Sequence, residues 1–564
     1  MKKIYVQFIV IAICSLFVIT SCQDMLNVDS GRYSTVDKNG LSSANDSVNS
    51  IFGLLRGMQK VGERYKLLGE MRGDLLDVTT YTPADIRQLS DFKVDSTNAY
   101  ANPRDYYAII NNCNYFISRT GASGSALKTE NAVAHAIRTW TYMQIATNWG
   151  KVYYFTKPLL TVNDTKENYP VLDINQLTDS LIADLEPFAD AIYPNYGTIN
   201  SFKTSDLLLP VKVLLGDLYL WHGRSISDYE KAATYYAQFI DSKMPPTDPA
   251  NPTSNLTSSP SIEWNITNFQ RKNFETAYPS DNWSFLTGTA NSSNDQIIEF
   301  ASAIQMATTI SDGIVCNIPN HIEYFGASSV VNKLWSIQNY TLHYIPDVKK
   351  PTEFTNYTNI GDARAKGNSV LLRMQTTVPG TTNITKYIDF SALYKLWVAD
   401  HILLYRMGLI YLRYAEAVNR AGHPNTAFAV LKYGLNPKSF LDSTIIPIDE
   451  RELSYVSKFN NPKYTNIIGI HARGCGDAQY DAAYKPDITL DPTTAVEDLI
   501  CDELALETSF EGNRFGDLVR MAMRRNDNDF LAKRIASKHE GSEYGRIYGI
   551  LSSDKNNWFL PEPK

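Results

Sequence analysis

The feature that most restricts the fold is a spacing of small residues across two joined apolar stretches of helical period. In Leu412-Arg413-Tyr414-Ala415-Glu416-Ala417-Val418-Asn419-Arg420-Ala421-Gly422-His423-Pro424-Asn425-Thr426-Ala427-Phe428, the small residues Ala415, Gly422 and Ala427 fall where two helices must approach closely. Pro424 sits where a second helix can start. The stretch from Leu207 to Ile240 repeats the pattern with a longer turn: Leu214-Leu215-Gly216-Asp217-Leu218-Tyr219, a break from Gly223 to Asp228, then Tyr229-Glu230-Lys231-Ala232-Ala233-Thr234-Tyr235-Tyr236-Ala237. An isolated helix pair cannot bury both of its faces, so two sightings imply a stack of about three to five pairs. Divergent pairs are expected from 132–149 and 493–525. In the first of these, Val133, Ala136, Ile137, Trp140, Met143 and Ala146 recur at three- and four-residue steps, which predicts one buried face.

The spacing resembles that of tetratricopeptide units, so the expected fold is mainly α: a tetratricopeptide-like scaffold of helical pairs. A large loop-rich, partly β insertion is expected at about 243–400. It opens on Met244-Pro245-Pro246 and runs through Asn251-Pro252-Thr253-Ser254-Asn255 and Thr257-Ser258-Ser259-Pro260, compositions that suit loops. Short strand-like segments interrupt it at Gln296–Phe300 and Ser369–Leu372. The aromatic residues Trp264, Trp283, Tyr324, Trp335, Tyr340 and Tyr344 gather there. Aromatic rings on loops over a rigid scaffold make a binding surface, although any single ring more often packs its loop onto the scaffold.

The start of the chain reads as an address. Lys2 and Lys3 precede an apolar run from Ile4 to Ile19, and Ile19-Thr20-Ser21-Cys22 resembles a bacterial lipobox. Residues 1–21 are therefore expected to be a cleaved lipoprotein signal peptide and Cys22 the lipidated first residue, anchoring the protein to a membrane without spanning it. Residues 22–49 form a polar linker, and 50–564 the folded body. An ordinary signal peptide or an uncleaved anchor is the alternative.

Composition excludes several functions. A formal net charge of -7 argues against a nucleic-acid binder, whose affinity would come from clustered cations. The 35 tyrosines suit recognition of something amphipathic, and equally suit helical packing. Of the six cysteines, Cys113, Cys316, Cys475 and Cys501 lie beyond the leader at spacings that match no metal pair. They read as buried free thiols, with one long-range disulfide as the alternative. No metal or cofactor is implied. There is no Walker loop, GxSxG elbow or HExxH, and Gly474-Cys475-Gly476 lacks the third glycine of a dinucleotide fingerprint. A glycosidase needs only two carboxylates, which 60 acidic residues cannot exclude, but a helical stack offers no obvious deep cleft.

Several segments, in order, resemble the SusD-like (RagB/SusD) nutrient-binding lipoproteins. Gln23-Asp24-Met25-Leu26-Asn27-Val28 is similar to that family's mature start, and Asn102–Asn114 to its early Tyr-x-x-Ile-x-x-x-Asn helix. Ala134–Tyr142 ending in Trp149-Gly150-Lys151-Val152 looks like its Ala-x-x-x-Arg-Ala … Gly-x-Val-Pro helix, with Tyr153 in place of Pro. Tyr405-Arg406 with Tyr411–Asn419, and above all Glu503–Arg520, complete the match. In the last stretch a helix, a Glu511-Gly512-Asn513 break and a second helix are expected. Arg514 and Asp517 fall on one face there, in a salt-bridge knot between helices rather than a catalytic cluster; Glu416 and Arg406 read the same way.

The resemblance implies a non-catalytic outer-membrane protein at the surface of a Gram-negative cell. It would capture oligosaccharides, or peptides as RagB-type members do, and deliver them to a SusC-type TonB-dependent transporter. A plain tetratricopeptide scaffold for protein partners is the rival. Ligand residues are not shared closely enough within such a family to carry over singly. Arg72, Asp77, Tyr81 and Tyr100, in the segment after the first strong helix, are candidates by position, alongside Trp264, Trp283, Tyr324, Trp335 and Tyr340 of the insertion.

Overall fold

A computed structural model of the chain describes residues 44–120, 127–199, 202–244, 300–305, 324–344, 355–365, 371–377, 384–393, 401–465, 467–475 and 491–562. Met1–Ser47 and Val48–Lys564 separate as two units; of the first, only residues 44–47 are described, as the opening turn of the first helix. Cys22 and the leader lie outside the described residues.

Helix α1 (Ala44–Met71) begins within the stretch expected as linker. Its polar first turn contains no proline or glycine to stop the helix extending back from the apolar run. That run, Ile51, Leu54, Met58, Val61, Tyr65 and Leu68, is buried at alternating three- and four-residue steps. A short strand β1 (Leu76–Val78) and helices α2 (Ala84–Ser90), α3 (Arg104–Thr120) and α4 (Lys128–Trp149) follow. Helix α4 departs from the single buried face expected of it: every residue from Glu130 to Met143 is buried. The reason is its position, with α3 and later helices packed around it. Its buried arginine is met by polar partners: Arg138 donates to Asn114 Oδ1 (2.6 Å) and to Asp184 (2.7 Å).

The hairpin β2 (Lys151–Tyr153) and β3 (Val171–Asp173) leads into α5 (Ile174–Leu185), which Asp173 and Gln176 cap reciprocally. The first helix pair of the sequence is α6 (Val211–His222) and α7 (Ile226–Lys243), joined through Gly223 at φ 38° and a second capping box, Ser225 with Asp228. Gly216 is required by packing: a Cβ there would stand 2.5–2.8 Å from the Tyr236 ring of the partner helix. The second pair is α9 (Met407–Arg420) and α10 (Pro424–Lys432), with Pro424 at the helix start. Helix α9 packs on α7, which joins the two pairs into one stack. The expected pair at 493–525 is α11 (Pro492–Thr508) and α12 (Arg514–Arg525), and α13 (Asn528–Ala536) packs with α14 (Gly541–Ser553).

Between α7 and α9 the described part of the insertion is partly β. Strands β4 (Phe300–Gln305), β5 (Phe325–Ala327), β6 (Asn339–Tyr344), β7 (Thr355–Ile360), β8 (Leu371–Thr377), β9 (Ile384–Leu393) and β10 (His401–Arg406) make two-stranded antiparallel sheets: β4 with β10, β5 with β1, β6 with β7, β8 with β9. Of the two strand-like segments expected here, Phe300 opens β4 and Leu371 and Leu372 open β8, while residues 296–299 and 369–370 lie outside the described residues. Helix α8 (Ser329–Ser336) follows β5.

The core of ion pairs is the salt-bridge knot expected near 503–520, with a partner the spacing did not reveal. Arg514 does not pair with Asp517 on its own helix. It donates to both oxygens of Asp74 (2.6 and 2.8 Å), while Asp517 meets Arg520 (2.8 Å). Arg520 also grips Glu416, and Arg406 grips Glu507 and Glu511. Arg364, from the insertion, donates to Asp362, Glu503 and Glu507 at 2.7–2.8 Å, all of them buried. Burial raises the Glu503 carboxyl, but Arg364 and His471 overcome it and hold it down to about 2. Cys113, Cys475 and Cys501 are buried free thiols; Cys316 lies outside the described residues.

A candidate ligand-binding shelf

The segment after α1 is rooted in the C-terminal helices and opens outwards within a few residues. At the root, the buried Glu70 carboxylate accepts the backbone N–H groups of Phe510 (3.2 Å) and Gly512 (2.7 Å), and burial nonetheless pushes its pKa up to about 7. Gly69 allows this approach, since a Cβ there would stand 1.9 Å from the Gly512 carbonyl oxygen. Four residues on, the Asp74–Arg514 pair closes the clamp. Arg72, expected as a ligand contact, points into this root instead. It is 1% exposed, lies 3.9 Å over the Phe515 ring, and donates to Asn148 Oδ1 (3.0 Å) and to the Trp558 carbonyl. The spacing of polar residues along 70–74 gave no sign of which side chains turn inward.

Beyond the root, β1 pairs with β5 in antiparallel register, Asp77 opposite Gly326 and Val78 opposite Phe325. Two segments about 250 residues apart, each holding sequence candidates, thereby lie side by side. The junction is secured by Ser328, whose Oγ donates to the Asp74 carbonyl (2.6 Å), and by Thr82, whose hydroxyl donates to the Tyr324 carbonyl (2.5 Å). Thr82 Oγ1 also accepts the Thr79 N–H (2.7 Å), and Arg87 donates to the Thr79 carbonyl (2.6 Å), so the turn carrying Tyr81 is fixed from both sides. Tyr81 itself is 64% exposed. Asp77 and Tyr324 are half-buried beside it.

The remaining candidates divide. Tyr100 is half-buried, and burial together with a hydrogen bond to Glu63 raises its hydroxyl above the usual range. It sits after the Asn98 turn, where Asn98 Nδ2 donates to the Asp85 carbonyl and to Gln88, both at 2.8 Å. Trp335 is not a surface ring: it is 4% exposed and packs edge-on to Phe510, with centroids 6.2 Å apart. Its burial follows from the amphipathic period of α8, which sends Val331 and Trp335 to the same face. The backbone of Tyr340 lies in β6 opposite Asn359, with its side chain outside the described part. Trp264 and Trp283 lie outside the described residues. Residues that sequence reasoning missed are the braces Thr82, Arg87 and Ser328, and Lys538. The Lys538 amine is buried under the shelf, donating to the carbonyls of Met71 (2.7 Å) and Leu76 (3.1 Å). Burial lowers its pKa to about 8 against the pull of Asp77 and Asp74. In sequence, Lys538-His539-Glu540 reads as an ordinary surface stretch.

Among the described residues no group of three or more His, Cys, Asp or Glu is placed to hold a metal ion, and no helix is long and apolar enough to cross a membrane. What the shelf offers chemically is an exposed phenol, a carboxylate beside it and a rigid backbone edge. These are elements for stacking and hydrogen bonding.

Comparison with known proteins locates this architecture. The SusD family model matches residues 381–563, which include the Arg406, Glu416, Glu503–Glu511, Arg514 and Arg520 network. No curated protein matches the chain. Among solved structures, a SusD superfamily protein from Bacteroides thetaiotaomicron is 15% identical, with a TM-score of 0.51 over 93% of this chain and 95% of that one. B. fragilis NanU is 16% identical, with a TM-score of 0.52 over 90% and 94% of the two chains. A SusD superfamily protein from Bacteroides vulgatus is 13% identical, with a TM-score of 0.53 over 92% and 96%. Over its last third the chain thus matches the SusD family model, and over nearly all of its length its fold is similar to that of SusD superfamily structures.

Proposed function

We propose that this is a non-catalytic, lipid-anchored protein of the outer-membrane surface that binds a nutrient, foremost an oligosaccharide, and hands it to a SusC-type TonB-dependent transporter. The observation that carries the reading is the β1–β5 pairing, which sets Asp77, Tyr81 and Tyr324 on one braced edge with Tyr81 exposed. An aromatic face with flanking hydrogen-bonding groups suits a sugar ring, and weak reversible contacts suit a protein that must release its cargo. The lipobox-like Ile19–Cys22 supports the anchor, and the SusD-like fold supports the transporter as partner. Tyr100 and the insertion residues Trp264, Trp283 and Tyr340 remain candidates for an enlarged ligand surface; Arg72 and Trp335 are packing residues.

The test is a glycan and peptide panel titrated against the purified protein and its Tyr81→Ala and Asp77→Asn variants, with an assay for newly released reducing ends. An oligosaccharide should bind, each variant should weaken it by about three- to tenfold, and no reducing ends should appear. Binding of peptides alone would make the ligand a peptide, and steady release of reducing ends by the wild type would make the protein an enzyme. Cys22→Ala should abolish acylation, and purification from outer membranes in mild detergent should bring down a large barrel; a lone monomer would favour a stand-alone binder.

A further inference from the structure

Away from the shelf, a polar cleft of about 310 Å3 lies where the end of α12, the starts of α5 and α13, the turn before α7 and the Lys555–Trp558 stretch meet. That volume is within the range of small-ligand sites, near its lower end, where a single sugar ring fits. Its charged lining is all cationic, Arg224, Arg524 and Lys555, and Asn175, Asn526 and Asn528 add amides. Arg224 is partly balanced by Asp179 at 2.7 Å. Arg524 is not: its terminal nitrogens donate to neutral acceptors, the carbonyls of His222 (2.8 Å) and Gly223 (3.2 Å) and Asn175 Oδ1 (3.2 Å), and its buried Nε has no hydrogen-bond partner. Burial, with Arg420, Arg224 and Arg520 nearby, lowers the Arg524 pKa against the raising effect of Tyr229, as expected of a cation short of an anion.

Three helices, α5, α7 and α13, begin at the rim, and their positive ends add to the same field. Their first amides are already taken by the caps Asp173, Ser225 and Asp527, whose two carboxylates offset part of that field, so the guanidinium and ammonium groups must carry the attraction. The side-chain amides complete the chemistry, because an asparagine both donates to and accepts from a hydroxyl.

We propose that this cleft binds a sugar acid, a single hexuronate unit, with its carboxylate between Arg524 and Lys555 and its hydroxyls on the asparagine amides. A planar carboxylate matches the edge of a guanidinium and would give Arg524 the anion it lacks. The site is separate from the shelf, and the proposal stands whether or not the shelf takes a ligand.

The test is calorimetric titration of the full chain with glucuronate and galacturonate, with glucose and inorganic phosphate as the controls for a neutral sugar and a free anion. Variants are Lys555→Gln, which is exposed and safe for folding, and Arg224→Gln; Tyr81→Ala serves as the shelf control. At least one hexuronate should bind saturably and more weakly as salt rises, glucose should not bind, and Lys555→Gln should weaken the hexuronate by about two- to fivefold, the value of one partly exposed charge contact. Tyr81→Ala should leave this binding unchanged. Equal binding of glucose and glucuronate, hexuronate binding indifferent to both Lys555→Gln and Arg224→Gln, phosphate binding without hexuronate, or no binding of any hexuronate would each overturn the proposal.

Discussion

The ion-pair knot and the shelf use similar residue types under opposite constraints. In the knot, Arg364, Arg406, Arg514 and Arg520 are at most 3% exposed and each is matched to buried carboxylates, so their value is relative: a removed partner leaves a charge stranded in low dielectric. On the shelf, Asp77 and Tyr81 keep access to water; Asp77 Oδ1 accepts the Val78 N–H (2.7 Å), and the bonds from Thr82 and Arg87 hold the backbone around Tyr81. The difference teaches that charge and aromaticity alone do not mark a binding surface. What matters is whether the rest of the chain has already satisfied them. The two regions are also joined, since Asp74 belongs to the knot and stands three residues before Asp77.

The comparison is most severely tested at Arg364. Arg364→Met should destabilise the protein by about 3–5 kcal/mol in denaturant melts, because Asp362, Glu503 and Glu507 lose their shared cation. Acid should then reveal the cause. In the wild type, the depressed Glu503 pKa contributes stability that is present above its ordinary value and lost as pH falls through about 2. In the variant that depression is relieved, so lowering the pH from 7 to 5 should recover part of the loss; a variant as stable as wild type at pH 7 would remove the knot from the stability argument.

Next in size, Gly216→Ala should cost about 1–3 kcal/mol by pressing a methyl group against the Tyr236 ring, read as a lower thermal midpoint with ligand binding retained. Thr82→Val removes the hydroxyl that bridges the Thr79 amide and the Tyr324 carbonyl. It should cost about 1 kcal/mol globally, with faster amide exchange confined to residues 76–82 and 324–328 if the shelf is an independently braced unit. The smallest effect is expected at Tyr81→Ala, within about 0.5 kcal/mol of wild type, because an exposed ring contributes little to folding. A large loss there would show that the shelf ring serves stability after all and would erase the distinction.

Local regularities were legible because they are set by neighbours in the chain. The helix pairs at 207–240 and 412–428, the start at Pro424 and the break at Glu511–Asn513 all follow from spacing, caps and glycine. So does the close approach at Gly216, since a small residue on an apolar helix face announces a packed neighbour. The knot was legible as a cluster of charges too dense to leave unpaired. Its pairing was not: Arg514 has Asp517 one turn away yet binds Asp74, 440 residues back, because only the packed helices decide which carboxylate is within reach and out of water.

The candidate site shows the same division. Sequence by itself determined that the body is a stack of helical pairs carrying a partly β insertion, and it offered Asp77, Tyr81 and Tyr324 among its candidate ligand residues. Tertiary structure alone decided that β1 and β5 pair and so bring those three together. It also turned Arg72 and Trp335 inward and placed Lys538 beneath the shelf. Strand partners and burial depend on contacts between segments hundreds of residues apart, and neither helical period nor residue type carries that information.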